Sequence, residues 1–197
     1  MVIPIRAYGD PILKKDCEEI DEDYPELQEL INNMFETMYE AKGVGLAAPQ
    51  VGKSIRLFVV DGTAFADGDP NGNMEELRGF KRVVINPVIL ESSEDEWVFK
   101  EGCLSIPAIR EEVTRPSSIT IEYYDENFEL VEEELDGYHA RIVQHEYDHV
   151  HGILFTDHLS PLRKRLLKRN LQEISKGNVD VDYKMKFPEK KGKKVVN

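Results

Sequence analysis

The sequence has 197 residues, 41% of them hydrophobic, which predicts a folded chain of one domain rather than a disordered one. It contains no apolar run of the roughly 20 residues that a membrane-spanning helix needs, and its start lacks the pattern of a secretory signal. Its two cysteines cannot form a disulfide framework. We therefore expect a soluble intracellular protein with no membrane partner.

The charge is distributed unevenly along the chain. The formal net charge of -13 argues against an open nucleic-acid binder, so no DNA partner is expected. Residues 1–160 contain 13 Lys and Arg against 34 Asp and Glu, whereas residues 161–197 contain 12 against 4. An acidic body therefore carries a basic C-terminal segment.

The first half of the chain predicts one helix followed by strands. Apolar residues recur at spacings of three, four and seven over 24–40, which predicts an amphipathic helix with Asp23 as its N-cap. Between the first two strands, the Gly- and Asp-rich segment 61–80 predicts a mobile loop. Runs rich in β-branched and aromatic residues predict strands at 55–61, 82–90, 96–99, 118–124 and 128–135.

Two helices are predicted after the strands. The first covers 138–150 and ends before Gly152, and the second begins at Pro161 with Ser160 as its N-cap. Beyond Lys176 the chain is polar and lysine-rich, which predicts weak structure. Because the strands precede these helices without βαβ alternation, the order predicts an α+β fold.

The strongest chemical signal is the segment QHEYDH, which contains the pattern H-E-x-x-H. His145 and His149 share a helix face and can bind one cation, while Glu146 is placed to reach a water on that cation. The alternative is a solvated helix face with two ordinary histidines. A catalytic metal site normally has three protein ligands. The third ligand stays open among His151, His158, a more distant Glu and Cys103.

Two further segments contain candidate site residues. In EGCLSIP, the Cys103 thiolate is a strong ligand for a divalent metal, although a lone cysteine is more often a small core residue. In GVGLAAPQ, the small residues allow a loop to run close to a ligand, and the Gln50 amide is suited to stabilise an oxyanion. An ordinary helix-to-strand connection is the alternative for this second segment.

In this order and spacing, GVGLAAPQ, EGCLSIP and QHEYDH resemble the three signature motifs of peptide deformylases. The resemblance implies a single catalytic domain over 1–165, followed by a basic helix and a lysine-rich tail over 161–197. It also implies antiparallel sheets packed around a central helix that bears the H-E-x-x-H motif, with an N-terminal amphipathic helix and a C-terminal basic helix.

The resemblance implies a metal-dependent reaction that removes the N-formyl group from formyl-methionyl nascent peptides and releases formate. Fe(II) is the expected metal, with zinc, nickel or cobalt as alternatives. Glu146 would transfer protons to and from the reacting groups, while the Gln50 amide and the Leu104 backbone N–H would stabilise the oxyanion. The metal ligands implied by the resemblance are Cys103, His145 and His149.

A slot for methionine and a path for the peptide are expected beside the metal. Ile142 lies on the same helix face as the two histidines, although core packing is the alternative for it. Glycine-bearing backbone in the two loops is expected to pair with the peptide as an added strand. The expected substrate-binding residues are Val44, Gly45, Gly102, Arg110 and Ile142.

Three expectations complete the interpretation. Arg115 is expected to pair with Glu101 and so to brace the metal loop. The basic segment over 161–197 is expected to contact the ribosome, or else to pack its leucines on the body and expose its charges. The bacterial cytoplasm is the expected compartment.

The nearest rival function is a zinc endopeptidase of the H-E-x-x-H type, and a non-catalytic metal-binding module is a second rival.

Overall fold

The computed structural model describes residues 1–69, 71–72 and 74–188. These residues form helices and β-sheets in which neighbouring strands are not always consecutive in sequence. In chain order the elements are β1 (Ile5–Arg6), α1 (Leu27–Glu40), β2 (Gly45–Ala47), β3 (Leu57–Asp61), α2 (Thr63–Gly68), β4 (Lys81–Ser92), β5 (Glu96–Cys103), β6 (Ile106–Pro116), β7 (Ser118–Tyr124), β8 (Leu130–Asp136), α3 (Gly137–Val150), α4 (Pro161–Ser175) and β9 (Met185–Lys186).

The main sheet has five antiparallel strands in the order β2-β3-β4-β7-β8, and a separate antiparallel hairpin is formed by β5 and β6. Strand β3 explains how the sheet is covered on both faces. Its residues Leu57 and Val59 belong to the core that includes α1, whereas Phe58 and Val60 belong to the core that includes α3. Side chains alternate between the faces of a strand, so a continuous apolar run is required here.

Helix α1 buries the apolar residues that the sequence pattern selects, but it begins later than predicted. Its N-cap is Glu26, which has φ 56 and makes no side-chain capping hydrogen bond. The prediction that Asp23 caps the helix is therefore wrong. The residues of the pattern that are buried are Leu27, Leu30, Ile31, Met34, Phe35 and Met38.

Helix α3 follows β8 directly and packs against β2, β3, β7 and β8. Polar side chains also connect it to the hairpin of β5 and β6. Arg141 donates to the carbonyl oxygens of Val113 at 3.0 Å and Trp97 at 2.6 Å, and Gln144 donates to that of Pro116 at 3.1 Å. The helix with the H-E-x-x-H motif therefore lies between the main sheet and the hairpin.

Two segments of the middle of the chain differ from the predictions. Strand β5 continues to Cys103 rather than ending at 99, and its partner β6 was not predicted at all. The segment 61–80 is not simply a loop, because it contains α2 and buries Leu77 completely. Residues 70 and 73 of that segment lie outside the described residues.

The C-terminal part packs on the body through α4, which buries Leu167, Leu171 and Ile174. Beyond it, β9 pairs in parallel with β1, with Ile5 opposite Met185 and Arg6 opposite Lys186. The prediction of weak structure beyond Lys176 is therefore wrong for β9. The expectation of antiparallel sheets is also wrong for the sheet of β1 and β9, which is parallel. Residues 189–197 of the predicted tail lie outside the described residues. Across the ranges that are described, we find no helix with the length and apolar character of a membrane span.

Candidate active site

Three side chains that could hold a metal ion form a cluster where the end of β5 meets α3. The donor atoms of Cys103, His145 and His149 all lie within 4.8 Å of one another, and the Cys103 Sγ is 3.3 Å from the His149 Nε2. Donors around a tetrahedral divalent ion are about 3.3–3.6 Å apart, given the usual metal–ligand distances. Burial lowers the pKa of His149 well below 6.5, which keeps it in the neutral form that binds metals. The three residues therefore fit a divalent metal ion.

The orientation of His145 is fixed by Glu101. The His145 Nδ1 lies 2.9 Å from the Glu101 carboxylate, which leaves the Nε2 for a metal. The same carboxylate accepts two hydrogen bonds from Arg115, at 2.7 and 3.1 Å, and one from Arg141 at 2.9 Å. Burial alone would raise the pKa of Glu101, but His145 and Arg115 hold it well below its usual range. The expected pair of Arg115 and Glu101 is confirmed.

The other two candidate histidine ligands have different partners. The His158 Nε2 lies 2.7 Å from the carboxylate of Asp148, which also accepts a hydrogen bond from Arg115 at 2.7 Å. The His151 Nδ1 lies 3.1 Å from the carboxylate of Asp16. Among the described residues, neither histidine belongs to the metal-binding cluster. Of the candidates for the third ligand, Cys103 is thus the one whose donor atom lies with those of His145 and His149.

Glu146 presents a buried carboxylate with a free oxygen beside the cluster. In the part of the chain that the structure describes, its Oε2 has no hydrogen-bond partner. Burial raises the pKa of Glu146 to about 7, a value suited to a group that both accepts and returns a proton. Gly45 on β2 lies directly against this carboxylate, since a Cβ at that position would overlap it. Only a glycine at position 45 therefore allows the backbone of β2 to lie this close to the Glu146 carboxylate.

The Gln50 side chain is held in one orientation at the end of the GVGLAAPQ segment. Its Oε1 accepts a hydrogen bond from the Ala47 backbone N–H at 2.8 Å. Its Nε2 therefore faces the other side, 3.6 Å from the Cys103 Sγ and 3.2 Å from the Ser105 Oγ. Leu104 lies between these two residues in the turn that joins β5 and β6. The Gln50 amide donor and the Leu104 backbone thus lie beside the cluster of Cys103, His145 and His149.

A cavity of 690 Å³ opens in front of the cluster. Gln50, Leu104 and Glu146 line it, whereas His149 is buried and is not among its lining residues. The cavity also brings together the residues that were predicted to bind the substrate, namely Val44, Gly45, Gly102, Arg110 and Ile142.

Sequence reasoning missed part of the cavity wall. Phe65 lines it from α2, and the C-terminal segment lines it at Asp180, Val181, Asp182 and Tyr183. The polar composition of the tail gave no signal of this position. The pairing of β9 with β1 brings the segment to this position.

The sequence and the fold are both similar to those of known proteins. The family model described as Polypeptide deformylase matches residues 2–165. The peptide deformylase of Christiangramia forsetii is 56% identical over 193 residues, covering 97% of this chain and 98% of the relative. That of Flavobacterium psychrophilum is 54% identical over 193 residues, with coverages of 97% and 100%. Among solved structures, a peptide deformylase from Plasmodium falciparum is 39% identical with a TM-score of 0.76, covering 88% of this chain and 95% of that chain.

Proposed function

The chain belongs to the peptide deformylase family. We propose that its reaction takes place at Cys103, His145 and His149. The reaction is the metal-dependent removal of the N-formyl group from formyl-methionyl nascent peptides. Family membership favours this reaction over peptide-bond cleavage by a zinc endopeptidase. The observation that carries the site assignment is the free, buried carboxylate oxygen of Glu146 beside three possible metal donors that lie within 4.8 Å of one another.

Cys103, His145 and His149 would hold the metal, and Glu146 would move the protons. When bound, a divalent ion would make a hydroxide available near neutral pH and polarise the formyl carbonyl. Glu146 accepts the proton of the attacking water at its unpartnered Oε2. It then delivers this proton to the amine nitrogen of methionine as the C–N bond to the formyl carbon breaks. Formate and a free N-terminal methionine are the products.

Gln50 and Leu104 would stabilise the negative charge that develops on the formyl oxygen. The contact from Ala47 to the Gln50 Oε1 keeps the Gln50 Nε2 directed towards the cluster, so little reorganisation is needed during the reaction. The Leu104 backbone N–H would be the second donor, since it is adjacent to Cys103 along the chain. Donors of this kind are each worth about 10²–10³ in rate in other hydrolases.

The cavity would bind the formyl-methionyl end of the peptide. Ile142 and Val44 offer apolar surface for the methionine side chain. The backbone at Gly45 and Gly102 would pair with the peptide as an added strand. Arg110 is exposed and packs across Gly102, with its Cγ 3.2 Å from where a Cβ would lie, so it would meet the peptide as it leaves the cavity.

We propose Fe(II) as the metal of this site rather than zinc, nickel or cobalt. The Cys103 thiolate donates more charge than a third imidazole, which weakens zinc as a Lewis acid. Metal-free protein loaded anaerobically with Fe(II) is expected to turn over faster than the same protein loaded with zinc. Exposure to air should abolish this difference, because both Fe(II) and the thiolate are oxidised. Equal rates for the two metals would contradict the proposal.

The decisive experiment measures formate release from a formyl-methionyl peptide by the anaerobic Fe(II) protein. We expect rapid release by the parent, near-zero release by Glu146→Gln with metal still bound, and loss of metal from Cys103→Ala. Cys17→Ala is the matched control, because Cys17 is buried but lies outside the metal-binding cluster. Absence of release from the metal-loaded parent would overturn the proposal, and cleavage of an unformylated peptide would support the endopeptidase instead.

We also propose that residues 1–165 form the catalytic domain and that this domain works in the bacterial cytoplasm.

The basic segment over 161–197 is proposed to contact the ribosome. Arg165, Lys168 and Arg169 are exposed on α4, beside the exposed Leu166. Reversing these three charges to Glu should abolish salt-dependent ribosome binding and leave formate release from a free peptide unchanged. Deletion of the segment is a poorer test, because α4 contributes buried leucines to the core. Undiminished binding by the reversed variant would exclude this contact.

A further inference from the structure

The C-terminal segment reaches the catalytic turn through Tyr183. The Tyr183 hydroxyl donates a hydrogen bond to the Leu104 carbonyl oxygen at 2.8 Å. Tyr183 is half-buried and lines the cavity together with Asp180, Val181 and Asp182. It lies beyond residue 165, where the match to the family model ends. A part of the chain outside that match therefore contacts a residue to which we assign a role in the reaction.

A second hydrogen bond holds the next peptide group of the same turn. The Tyr8 backbone N–H donates to the Ser105 carbonyl oxygen at 2.8 Å. Tyr8 follows β1, Tyr183 precedes β9, and these two strands pair in parallel. Hydrogen bonds of 2.9 Å from the Ile5 N–H to Lys184 and from the Ala7 N–H to Lys186 complete this pairing. The two ends of the chain thus form one unit that holds successive carbonyl groups of the turn.

The side chain of Leu104 is confined from the opposite wall of the cavity. Its Cδ1 lies only 2.8 Å from where a Cβ on Gly43 would be, so the two residues are in close contact. Lys42, immediately before Gly43, forms an ion pair with Asp182 of the C-terminal segment. The segment therefore connects the turn that contains Leu104 with the loop that contains Lys42 and Gly43.

We propose that Tyr183 is a positioning residue for the reaction: by holding the Leu104 carbonyl group it anchors Leu104, whose backbone N–H lies in the adjoining peptide group on the Cys103 side. The inference rests on the role proposed above for that N–H as an oxyanion donor. Without the hydroxyl contact, the peptide group between Leu104 and Ser105 is no longer held on this side. That group shares the Leu104 Cα with the preceding peptide group, which carries the Leu104 N–H, so Leu104 can shift and carry the donor out of place. Misplacement of a donor raises the barrier of the chemical step without weakening ground-state binding.

Tyr183→Phe tests the proposal, because it keeps the ring and removes only the hydroxyl. Tyr123→Phe is the matched control: the Tyr123 hydroxyl also donates a hydrogen bond of 2.8 Å, to Glu133, but it lies in the main sheet away from the cavity. We expect Tyr183→Phe to lower kcat about tenfold with KM changed less than about twofold, and Tyr123→Phe to change neither. Both variants should unfold at similar urea concentrations.

A second readout does not depend on activity or on metal. In metal-free protein, amide hydrogen exchange followed by mass spectrometry should be faster over residues 103–107 in Tyr183→Phe than in the parent, and unchanged in Tyr123→Phe. Unchanged kcat and unchanged exchange in Tyr183→Phe would overturn the inference. If the Fe(II)-loaded parent releases no formate, the proposed function fails instead, and the exchange experiment still decides whether Tyr183 holds the turn.

Discussion

The Nδ1 of His145 lies 2.9 Å from the carboxylate of Glu101, which is the common acceptor for Arg115 and Arg141 as well. One buried carboxylate thus orients a candidate metal ligand and pairs with two guanidinium groups, of which Arg115 also pairs with Asp148. The arrangement joins metal binding to the stability of the hairpin, because Glu101 and Arg115 are on β5 and β6 while His145 and Arg141 are on α3.

Glu101→Gln is expected to weaken both properties. Loss of the charged partner of a metal-bound histidine lowers metal affinity by about 10–100-fold. The buried Arg141 also loses the carboxylate that it pairs with, and Arg115 keeps only Asp148, which together cost roughly 3–5 kcal/mol of unfolding free energy. Metal titration and urea unfolding measure the two effects separately. Glu112→Gln is the control, because Glu112 is an exposed residue of the same hairpin, and it should change neither quantity by a measurable amount.

Acid should destabilise the metal-free protein through the same groups. The pKa values of Glu101 and Asp148 lie below those of the unfolded chain, about 4.5 and 3.8, because hydrogen bonds and positive charges outweigh the effect of burial. The folded state therefore binds fewer protons than the unfolded state in acid, and the free energy of unfolding falls as the pH falls through and below these values. Urea unfolding between pH 4.5 and pH 3.5 checks this, because the Glu146 carboxyl, whose pKa burial raises to about 7, is already protonated in that range. Glu101→Gln should show a shallower decline, and an equally steep decline would show that other groups are responsible.

The residues of the candidate site could be predicted from the sequence because they are concentrated in short motifs. His145, Glu146 and His149 are related by helix geometry alone, so their shared face follows from their spacing. Cys103 is related to them only through the tertiary fold. The sequence therefore could not decide between it and His151 or His158, whereas the structure pairs those two histidines with Asp16 and Asp148.

The elements that were missed have physical reasons. Strand β6 alternates between buried and exposed positions, but charged residues occupy two of its buried positions. These are Glu111, paired with Arg163, and Arg115, paired with Glu101, so the apolar alternation is hidden. Strand β9 has only two residues and depends on pairing with the other end of the chain. Neither local pattern nor composition indicates such a contact.

Gly45→Ala is expected to disable Glu146 while leaving the metal bound. Gly45 does not have positive φ, so alanine introduces no backbone strain, but its Cβ would overlap the Glu146 carboxylate. Displacement of that group by about 1 Å should lower kcat about 100-fold. Kinetics with a formyl-methionyl peptide and metal analysis on the same preparation measure the effect. Gly68→Ala is the control, since a Cβ there meets no atom within 4 Å, and a comparable loss in that variant would contradict the explanation.

Ile142→Phe is expected to change substrate preference rather than the chemical step. Ile142 lines the cavity from the same helix face as His145, and a larger side chain there would fill the space proposed for methionine. The value of kcat/KM for formyl-methionyl peptides should fall at least about tenfold more than that for formyl-alanyl peptides.

The ratio between the two substrates serves as the internal control for Ile142→Phe, because damage to the metal site or to folding lowers both rates together. Metal content should equal that of the parent, since Ile142 donates no ligand atom. If both substrates lose activity by the same factor, Ile142 acts only in core packing, where it belongs to the cluster around α3. A selective loss for methionine instead identifies this helix face as the wall that recognises the substrate side chain.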